Sequence, residues 1–200
     1  PKGHRILVPG QVEDDASILC GTKLISTNLE LLSAARTAHP EAIILYKPHP
    51  DVEAGLRKGD VEQSDLDMLC DGVLRKTDPI TAIEAVDEVW TMTSLLGFEA
   101  LLRGKTVTCL GAPFYAGWGL TTDKGAVPAR RSTQVSLHSL VHASIIDYPR
   151  YFDPVTNAPC PAEVVLDRLA SGSIPRRGTY NRLLSKFQGL LASKAHVWRR

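Results

Sequence analysis

The sequence lacks the features that mark several common protein classes. Its 200 residues contain four widely spaced cysteines and no Cys-x-x-Cys pair, so neither a zinc ribbon nor a thioredoxin-type site is indicated. We expect these cysteines to be free thiols in a reducing compartment. No apolar run is long enough to cross a bilayer, and the N-terminus shows no apolar core of a signal peptide. Neither a Walker loop nor a Gly-x-Gly-x-x-Gly motif occurs, which disfavours ordinary NTP or dinucleotide binding.

Charge is distributed unevenly along the chain. The formal net charge is +1, yet residues 175–200 carry seven basic side chains and no acid, which leaves about −6 on the preceding 174 residues. An acidic body argues against general nucleic-acid binding, so no nucleic-acid partner is expected. The basic tail also carries a stripe of Leu, Phe and Trp. This pattern is typical of an amphipathic helix that lies on an anionic membrane or packs back onto its own domain.

Strand-like and helix-like patterns alternate over the first 110 residues. Strands are predicted at residues 5–9, 42–46, 72–76, 87–93 and 106–110. Helices are predicted to start at Thr27 or Asn28, at Asp78 followed by Pro79, and at Ser94. Short links between alternating elements predict an α/β, Rossmann-like parallel sheet with helices on both faces. C-terminal helices at 136–147 and 162–172 complete a domain of residues 1–174, and residues 175–200 form the tail.

Four unusual motifs follow predicted strands. GQVEDDAS follows the first strand, KPHP the second, TSLLG the fourth, and FYAGWG comes shortly after the fifth. In a parallel α/β sheet, ligands bind outside the carboxyl ends of the strands. Four polar or glycine-rich segments at one edge therefore predict a ligand site there.

Each motif leaves two interpretations open. His49 is held between two prolines, so it is either a rigid group presented to a phosphate or part of a stiff strand-ending turn. Ser94 can cap its helix and also help to bind an anion there.

Three consecutive acids, Glu13, Asp14 and Asp15, allow three interpretations. They form a solvated loop, or one of them is a nucleophile or base, or, less favoured, they bind a metal ion. Tyr115 and Trp118 either pack in the core or line a ligand loop.

Taken in order, five segments resemble a known family. GQVEDDASI, YKPHPDV, VWTMTSLLGFEALLRGK, PFYAGWGLT and DYPRYFDPVT are similar to segments of the capsule polysaccharide biosynthesis proteins of Gram-negative bacteria, the KpsC/LipA-type β-Kdo glycosyltransferases. The resemblance runs from about Arg5 to about Leu169 and favours the C-terminal of that family's two modules. It implies the second, nucleotide-binding half of a GT-B-like enzyme, with another α/β half expected before residue 1.

The resemblance also implies a function in capsule polysaccharide biosynthesis and polysaccharide transport. A retaining β-Kdo transferase would move Kdo from CMP-Kdo to a lipid-linked Kdo acceptor, within a poly-Kdo linker on lysophosphatidylglycerol. No cofactor and no metal are expected. The implied partners are the donor, the acceptor, an anionic membrane surface and other capsule assembly or export proteins. The implied location is cytoplasmic, peripheral at the inner face of the inner membrane.

Two alternatives remain from the sequence. The first is a catalytically incomplete nucleotide- or membrane-binding module of a capsule assembly or export complex. The second is another nucleotide-sugar enzyme, such as a UDP-sugar epimerase of GT-B type. The linkage formed, 2→4 or 2→7, is left open.

Site residues follow from the same resemblance. The implied catalytic residues are Asp15, as the nucleophile, and His49; Asp14 is the neighbour that could take the place of Asp15. Donor binding is assigned to Gln11, Lys47, His49, Pro50, Thr93, Ser94, Gly97 and Glu99, and the substrate loop to Tyr115, Gly117, Trp118 and Gly119. Glu13 is a further candidate. A protonated His49 and the helix N-terminus at Ser94 are expected to stabilise the charge of departing CMP.

Overall fold

A computed structural model of the chain describes residues 3–174. The chain divides into two compact units, Pro1–Leu140 and Val141–Arg200. The predicted boundary between residues 174 and 175 coincides with the end of the described residues and stays a prediction. The basic tail at 175–200 lies outside the described residues, so its membrane or packing role stays a prediction.

The first unit is built on a six-stranded parallel sheet. Its strand order is β3-β2-β1-β4-β5-β6. The strands are β1 Arg5–Pro9, β2 Ile43–Lys47, β3 Gly72–Val73, β4 Glu88–Thr91, β5 Thr106–Cys109 and β6 Thr122–Asp123. The helices are α1 Ala16–Gly21, α2 Asn28–Ala38, α3 Pro50–Glu53, α4 Gln63–Leu69, α5 Pro79–Glu84 and α6 Leu95–Leu102, followed by α7 Leu137–Val141 at the boundary. This architecture confirms the predicted Rossmann-like α/β fold.

Helices cover both faces of this sheet. On one face, α2 and α4 pack against a buried cluster of Ile6, Val8, Ile44, Tyr46, Trp90 and Met92. Successive strand residues point to opposite faces, so Leu7 and Val89, which are fully buried, belong to the other face. There α6 packs against β4 and β5, with α5 beside it.

Helix starts agree closely with the sequence signals. Thr27 caps α2 in a full capping box with Glu30. Asp78 caps α5, whose first residue is Pro79, and Ser94 caps α6. These caps place the first turns of the helices at defined points along the carboxyl edge of the sheet.

Several predicted boundaries differ from the structure. β2 starts one residue later than expected and ends with Lys47, and β3 stops at Val73. Lys76, with φ of 54°, lies in the left-handed region, where an extended strand does not continue. The sequence did not predict α1, α3, α4 or β6, because one or two turns of helix and two-residue strands show no usable periodicity.

The second unit contains short elements. The predicted helix at 136–147 becomes α7 followed by a π-helix, His142–Asp147. Strands β7 Tyr151–Phe152 and β8 Pro159–Cys160 form an antiparallel pair, and α8 Ala162–Ala170 follows. Between residues 3 and 174, none of the helices has both the length and the apolar character that a bilayer crossing requires.

Candidate functional site

The topology of the sheet creates a crevice between β1 and β4. These strands are neighbours, but the chain continues from β1 toward β2 on one side and from β4 toward β5 on the other. The loops that follow two such strands diverge, and ligands of open α/β sheets bind in the resulting gap. The loop after β1 leads into α1 and the loop after β4 into α6, so two of the four motifs border this gap directly.

Gln11 ties the two diverging loops together. Its side-chain Oε1 accepts hydrogen bonds from Thr91 Oγ1 (3.1 Å) and from the backbone amides of Met92 (3.2 Å) and Thr93 (3.1 Å). Its Nε2 donates to Thr93 Oγ1 at 2.9 Å. Gln11 is buried, and these protein partners occupy its carboxamide oxygen. The structure therefore places Gln11 as a residue that positions Thr93, and direct contact with a donor stays a prediction.

Asn28 holds the backbone of Gln11 in place, a role that the sequence, which offered Asn28 only as a possible helix cap, did not indicate. Its side chain is fully buried, accepts from Gln11 N (2.8 Å) and donates to Gln11 O (2.8 Å) and Gly59 O (2.7 Å). Gly59 has φ of 136°, and a Cβ there would lie 2.6 Å from Gln11 O. The loop after β1 is consequently fixed by contacts with Asn28 of α2, with Gly59 and with the end of β4.

The three acids of this loop have different partners. Glu13 accepts from Asn28 N at 2.9 Å, and Asp14 forms an ion pair with Arg57 at 2.9 Å. Asp15 caps α1 by accepting from Ser17 N at 2.8 Å. Hydrogen bonds from Ser17 lower the pKa of Asp15, and the nearby Arg57 lowers it further. An exposed, ionised Asp15 has the charge state that a nucleophile requires.

His49 begins α3. Its Nδ1 accepts a hydrogen bond from Asp51 N at 3.1 Å, and Pro50 occupies the first helical position. A ring that accepts at Nδ1 carries its proton on Nε2, so the neutral tautomer presents an Nε2 donor. The KPHP motif is thus a helix start as well as a strand end. Nε2 is the ring nitrogen left to donate to a phosphate, so the expected phosphate contact through a protonated His49 stays a prediction.

Lys47 presents an unpaired ammonium group at the carboxyl edge of the sheet. It is the last residue of β2, and the residue as a whole is only 6% exposed. Within residues 3–174, its ammonium group forms no hydrogen bond or ion pair. No described side-chain nitrogen or oxygen is both fully buried and without a partner, so this ammonium group reaches solvent. The charge of Lys47 makes a small contribution to lowering the pKa of Asp78, which the amide of Thr81 lowers most. An unpaired ammonium group at this edge is suited to binding an anionic ligand.

The start of α6 combines a cap with close packing. Ser94 Oγ accepts from Leu96 N at 3.2 Å, and Ser94 O accepts from the hydroxyl of Tyr115. A Cβ on Gly97 would lie 2.2 Å from that hydroxyl oxygen, so Gly97 allows the ring to approach the helix. Glu99 is half-buried on the same helix, and its Oε2 lies 3.9 Å from Nη1 of Arg103. The structure assigns Gly97 to packing, and the donor contacts of Gly97 and Glu99 stay predictions.

The loop with Gly117 and Gly119 is folded by internal contacts. Tyr115 is buried, and this burial raises its pKa well above the usual value. Gly117 and Gly119 have φ of 85° and 79°, as a glycine-requiring turn predicts. Trp118 Nε1 donates to Phe114 O at 2.8 Å, and Arg131, missed in the sequence, donates to Pro113 O and Ala116 O.

A cleft of about 470 Å³ opens at the same edge of the sheet. Ser17, Cys20 and Gly21 of α1 form one wall, Thr93 and Leu95 another, and residues 112–115 the third. Of the predicted residues, only Thr93 and Tyr115 line it; Ser17, Cys20 and Phe114 were not anticipated. In residues 3–174, no three His, Cys, Asp or Glu side chains cluster as metal ligands would.

Comparison with known proteins gives a consistent result. The family model for capsule polysaccharide biosynthesis proteins matches residues 1–151. The capsule polysaccharide modification protein LipA of Neisseria meningitidis serogroup B is 45% identical over 195 residues, which is 94% of this chain and 28% of LipA. The lipopolysaccharide-processing protein LpsZ of Rhizobium meliloti is 48% identical over 148 residues, covering 74% of this chain and 33% of LpsZ.

Solved structures of related proteins show the same fold. The β-Kdo 2,7 transferase of Thermosulfurimonas dismutans KpsC matches with a TM-score of 0.78 and 42% identity, over 86% of this chain and 56% of that chain. Its β-Kdo 2,4 transferase matches with a TM-score of 0.72 and 35% identity, over 84% of this chain and 52% of that chain. This chain therefore spans a third or less of these curated relatives and about half of the solved chains.

The family model covers three quarters of the sequence, including the four motifs at the carboxyl edge of the sheet. The same α/β arrangement recurs in the solved structures at substantial identity. The chain belongs to the family of capsule polysaccharide biosynthesis proteins.

Proposed function

We propose that this chain is the donor-binding half of a glycosyltransferase that moves Kdo from CMP-Kdo to a lipid-linked Kdo acceptor. The observation that carries the proposal is Lys47, a largely buried residue whose ammonium group forms no hydrogen bond or ion pair within residues 3–174 and reaches solvent at the ligand edge, two residues before His49. A CMP-linked acidic sugar supplies both a phosphate and a carboxylate as counter-charges. The two similar solved chains are described as β-Kdo transferases, which supports this donor.

The proposed chemistry uses groups at the ends of three strands. The Nε2–H of His49, the ammonium of Lys47 and the N-terminus of α6 would stabilise the phosphate as it departs with the electron pair of the bond to Kdo. Ionised Asp15 would attack the anomeric carbon and form a glycosyl-enzyme. The acceptor hydroxyl would then displace Asp15 and lose its proton. Two inversions give net retention.

We infer that the linkage formed is 2→7. The chain is 42% identical to the 2,7 transferase of Thermosulfurimonas dismutans, with a TM-score of 0.78. The corresponding values for the 2,4 transferase are 35% and 0.72. NMR linkage analysis of the product of the parent enzyme tests this inference, and a 2→4 product would contradict it.

The proposed cellular location and partners of the enzyme follow from its lipid-linked acceptor. A lipid-linked poly-Kdo linker on lysophosphatidylglycerol places the protein peripherally at the cytoplasmic face of the inner membrane. Capsule assembly or export proteins are its proposed partners. No metal or other cofactor is invoked, because protein groups supply the charge stabilisation.

A second candidate is a non-catalytic donor-binding module. The observation that favours it is length, since the chain spans only 56% of the solved 2,7 transferase. Such a module would bind CMP but would not transfer Kdo by itself. Activity assays of the chain with CMP-Kdo and a Kdo-terminated acceptor separate the two candidates.

Isothermal titration with CMP, and with UMP as the control, tests the donor assignment. We expect selective CMP binding that is lost in His49→Ala and in Lys47→Met. Gln63→Ala, at an exposed residue of α4, serves as a variant that should bind like the wild type. Equal affinity for both nucleotides, or unchanged CMP binding in His49→Ala and Lys47→Met, would contradict the assignment.

A further inference from the structure

We propose that residues 57–59 fix the position of Asp15 relative to His49, and that Arg57 is a positioning residue for the transfer reaction. Arg57 acts through Asp14, the residue next to Asp15. This inference rests on the proposed function, because Asp15 and His49 take their roles from it. The sequence motifs gave no indication of a role for the 57–59 segment, which follows α3.

Asp15 and His49 come after different strands and need a common support. Asp15 ends the loop after β1, and His49 follows β2. Each residue caps a short helix, since α1 has six residues and α3 has four. Helices of one or two turns have little stability of their own. Contacts with other parts of the chain must therefore fix the separation of the two side chains.

The first support is the ion pair between Arg57 and Asp14. Nη2 of Arg57 donates to Oδ1 of Asp14 at 2.9 Å, and Nε donates to the same oxygen at 3.3 Å. The two side chains are 40% and 54% exposed, so the pair contributes little to stability by itself. Its geometric effect is larger, because it joins the guanidinium group to the residue that precedes Asp15.

The second support is a pair of backbone contacts with the same loop. Glu13 N donates to Lys58 O at 3.0 Å. Nδ2 of the buried Asn28, which also holds this loop, donates to Gly59 O at 2.7 Å. Each residue of the 57–59 segment thus contacts either the loop after β1 or the side chain that holds this loop in place.

The third support connects the 57–59 segment to the helix that His49 caps. Arg57 N and Leu56 N both donate to Asp51 O, at 3.2 and 2.8 Å. Asp51 N in turn donates to Nδ1 of His49 at 3.1 Å. Asp51 therefore contacts both the imidazole ring and the chain that leads to Arg57. A displacement of the 57–59 segment consequently changes the surroundings of both proposed catalytic residues.

Arg57 also favours the ionised form of Asp15. Hydrogen bonds from Ser17 lower the pKa of Asp15 most, and the charge of Arg57 lowers this pKa further. An aspartate nucleophile acts in its ionised form. The position of Arg57 therefore suits the proposed role of Asp15.

The kinetics of Kdo transfer by the parent enzyme test the positioning role. Arg57→Met should lower kcat by about 10–100-fold, because a displacement of a reacting group by about 1 Å costs roughly this factor. We expect the KM for the donor and the affinity for CMP to change less than about twofold. Arg57→Lys keeps a positive charge that can pair with Asp14, so it should recover most of the lost kcat.

Arg5→Met is the matched control. The side chain of Arg5 is 44% exposed and forms an ion pair with Asp87 at 3.0 Å, much like the pair of Arg57 with Asp14. Arg5 begins β1, at the edge of the sheet opposite to the ligand edge. We expect Arg5→Met to transfer Kdo at the rate of the wild type.

Asp14→Ala tests whether Arg57 acts through Asp14. The double variant Arg57→Met/Asp14→Ala should be no slower than the slower of the two single variants, because both substitutions remove the same contact. Additive losses of kcat would contradict this route. A loss of kcat in Asp14→Ala far beyond that in Arg57→Met would make Asp14 the nucleophile and overturn the proposal.

Amide hydrogen exchange gives a readout that does not depend on activity. In Arg57→Met, we expect the amides of residues 13–17 to exchange at least about threefold faster than in the wild type, because local opening of this loop becomes easier. The amides of β1 should exchange as before. Arg5→Met should leave the exchange of residues 13–17 unchanged.

The outcomes separate this proposal from the proposed function. Weaker CMP binding with unchanged kcat in Arg57→Met would make Arg57 a ligand of the donor, which overturns the positioning role and leaves the donor assignment intact. Faster exchange at residues 13–17 with unchanged kcat would mean that the 57–59 segment orders the loop without affecting transfer, and this result would also overturn the proposal. Absence of both CMP binding and transfer in the wild type would contradict both proposals.

Discussion

At the scale of single residues, the polar groups at the carboxyl edge fall into two classes. Gln11, Asn28 and Glu13 are satisfied by protein partners and hold the loops in place. The ammonium group of Lys47 and the Nε2 of His49 form no hydrogen bond among the described residues. Folding explains the first class, and the second class is available to bind a ligand.

The unpaired Lys47 leads to a prediction about stability. Lys47→Met keeps the length of the side chain and removes a charge that forms no hydrogen bond or ion pair within residues 3–174. We expect the stability of the free protein to change by no more than about 0.5 kcal/mol, while CMP binding is lost. Thermal unfolding with and without CMP measures both effects.

Lys105→Met is the matched control for that prediction. The ammonium of Lys105 donates to Val86 O at 2.7 Å and to Glu84 O at 3.3 Å, so its removal should destabilise the protein. Destabilisation by Lys47→Met as well would indicate that Lys47 is satisfied in the free protein.

Asp15 leads to a prediction about pH. Its folded-state pKa is lowered by Ser17, so its ionised form stabilises the fold above the unfolded-state pKa of about 4, and this contribution disappears as the pH falls through the lowered folded-state value. Asn caps helices as well as Asp does, so Asp15→Asn isolates the charge. We expect the wild type to be slightly more stable than Asp15→Asn at pH 7 and equal to it near pH 2.

Chemical denaturation of both proteins across pH 2–7 checks this expectation. Asp65→Asn, at a half-buried position in α4, provides the comparison for a general charge effect. A difference between wild type and Asp15→Asn that grew on acidification would contradict the assigned direction of the shift.

At the scale of secondary-structure elements, the position of α6 depends on Gly97, because the lack of a side chain there lets Tyr115 pack against the helix. Tyr115 packs over this position and donates to Ser94 O. The same contact joins the cap of α6 to the loop after β5, so both walls of the cleft depend on it. A packing defect here should therefore reach the ligand site.

Gly97→Ala tests the role of this contact. The added methyl would lie 2.2 Å from the hydroxyl oxygen and 2.8 Å from Cζ of Tyr115. We expect destabilisation of about 1–3 kcal/mol from overpacking, with weaker CMP binding. Combining it with Tyr115→Phe should restore part of the stability, because the closest clashing atom is removed. Strictly additive effects of the two substitutions would argue against a direct clash.

At the scale of the whole molecule, the sheet topology brings distant segments together. The loop after β1 and the loop after β4 are about 80 residues apart in sequence and are joined by Gln11. The same family is found in relatives several times longer than this chain. The chain thus corresponds to only part of these relatives.

The basic tail carries the prediction that concerns the whole chain. Deleting residues 175–200 removes seven positive charges and an apolar stripe, so we expect weaker binding to anionic liposomes. Co-sedimentation measures the loss, and zwitterionic liposomes are the control for charge. Unchanged co-sedimentation would mean that the tail does not bind the membrane.

Particular residues show how much of the fold and of the candidate site could be predicted from the sequence. The strand at residues 5–9, the caps Thr27, Asp78 and Ser94, and the ligand edge were predictable because they depend on local patterns and on the rules of parallel sheets. The short helices α1 and α3 were not predicted, so Asp15 and His49 were not foreseen as helix caps.

By itself, the sequence determined the fold class and the family, since periodicity, capping residues and long motifs are local properties of the chain. Only the tertiary structure decided which side chains are occupied by protein partners and which are left for a ligand. Gln11 and Lys47 are both polar residues at strand ends. The side chain of Gln11 is hydrogen-bonded to the loop after β4, whereas the ammonium group of Lys47 forms no hydrogen bond or ion pair within residues 3–174. That difference depends on contacts between residues far apart in the chain, which no local pattern encodes.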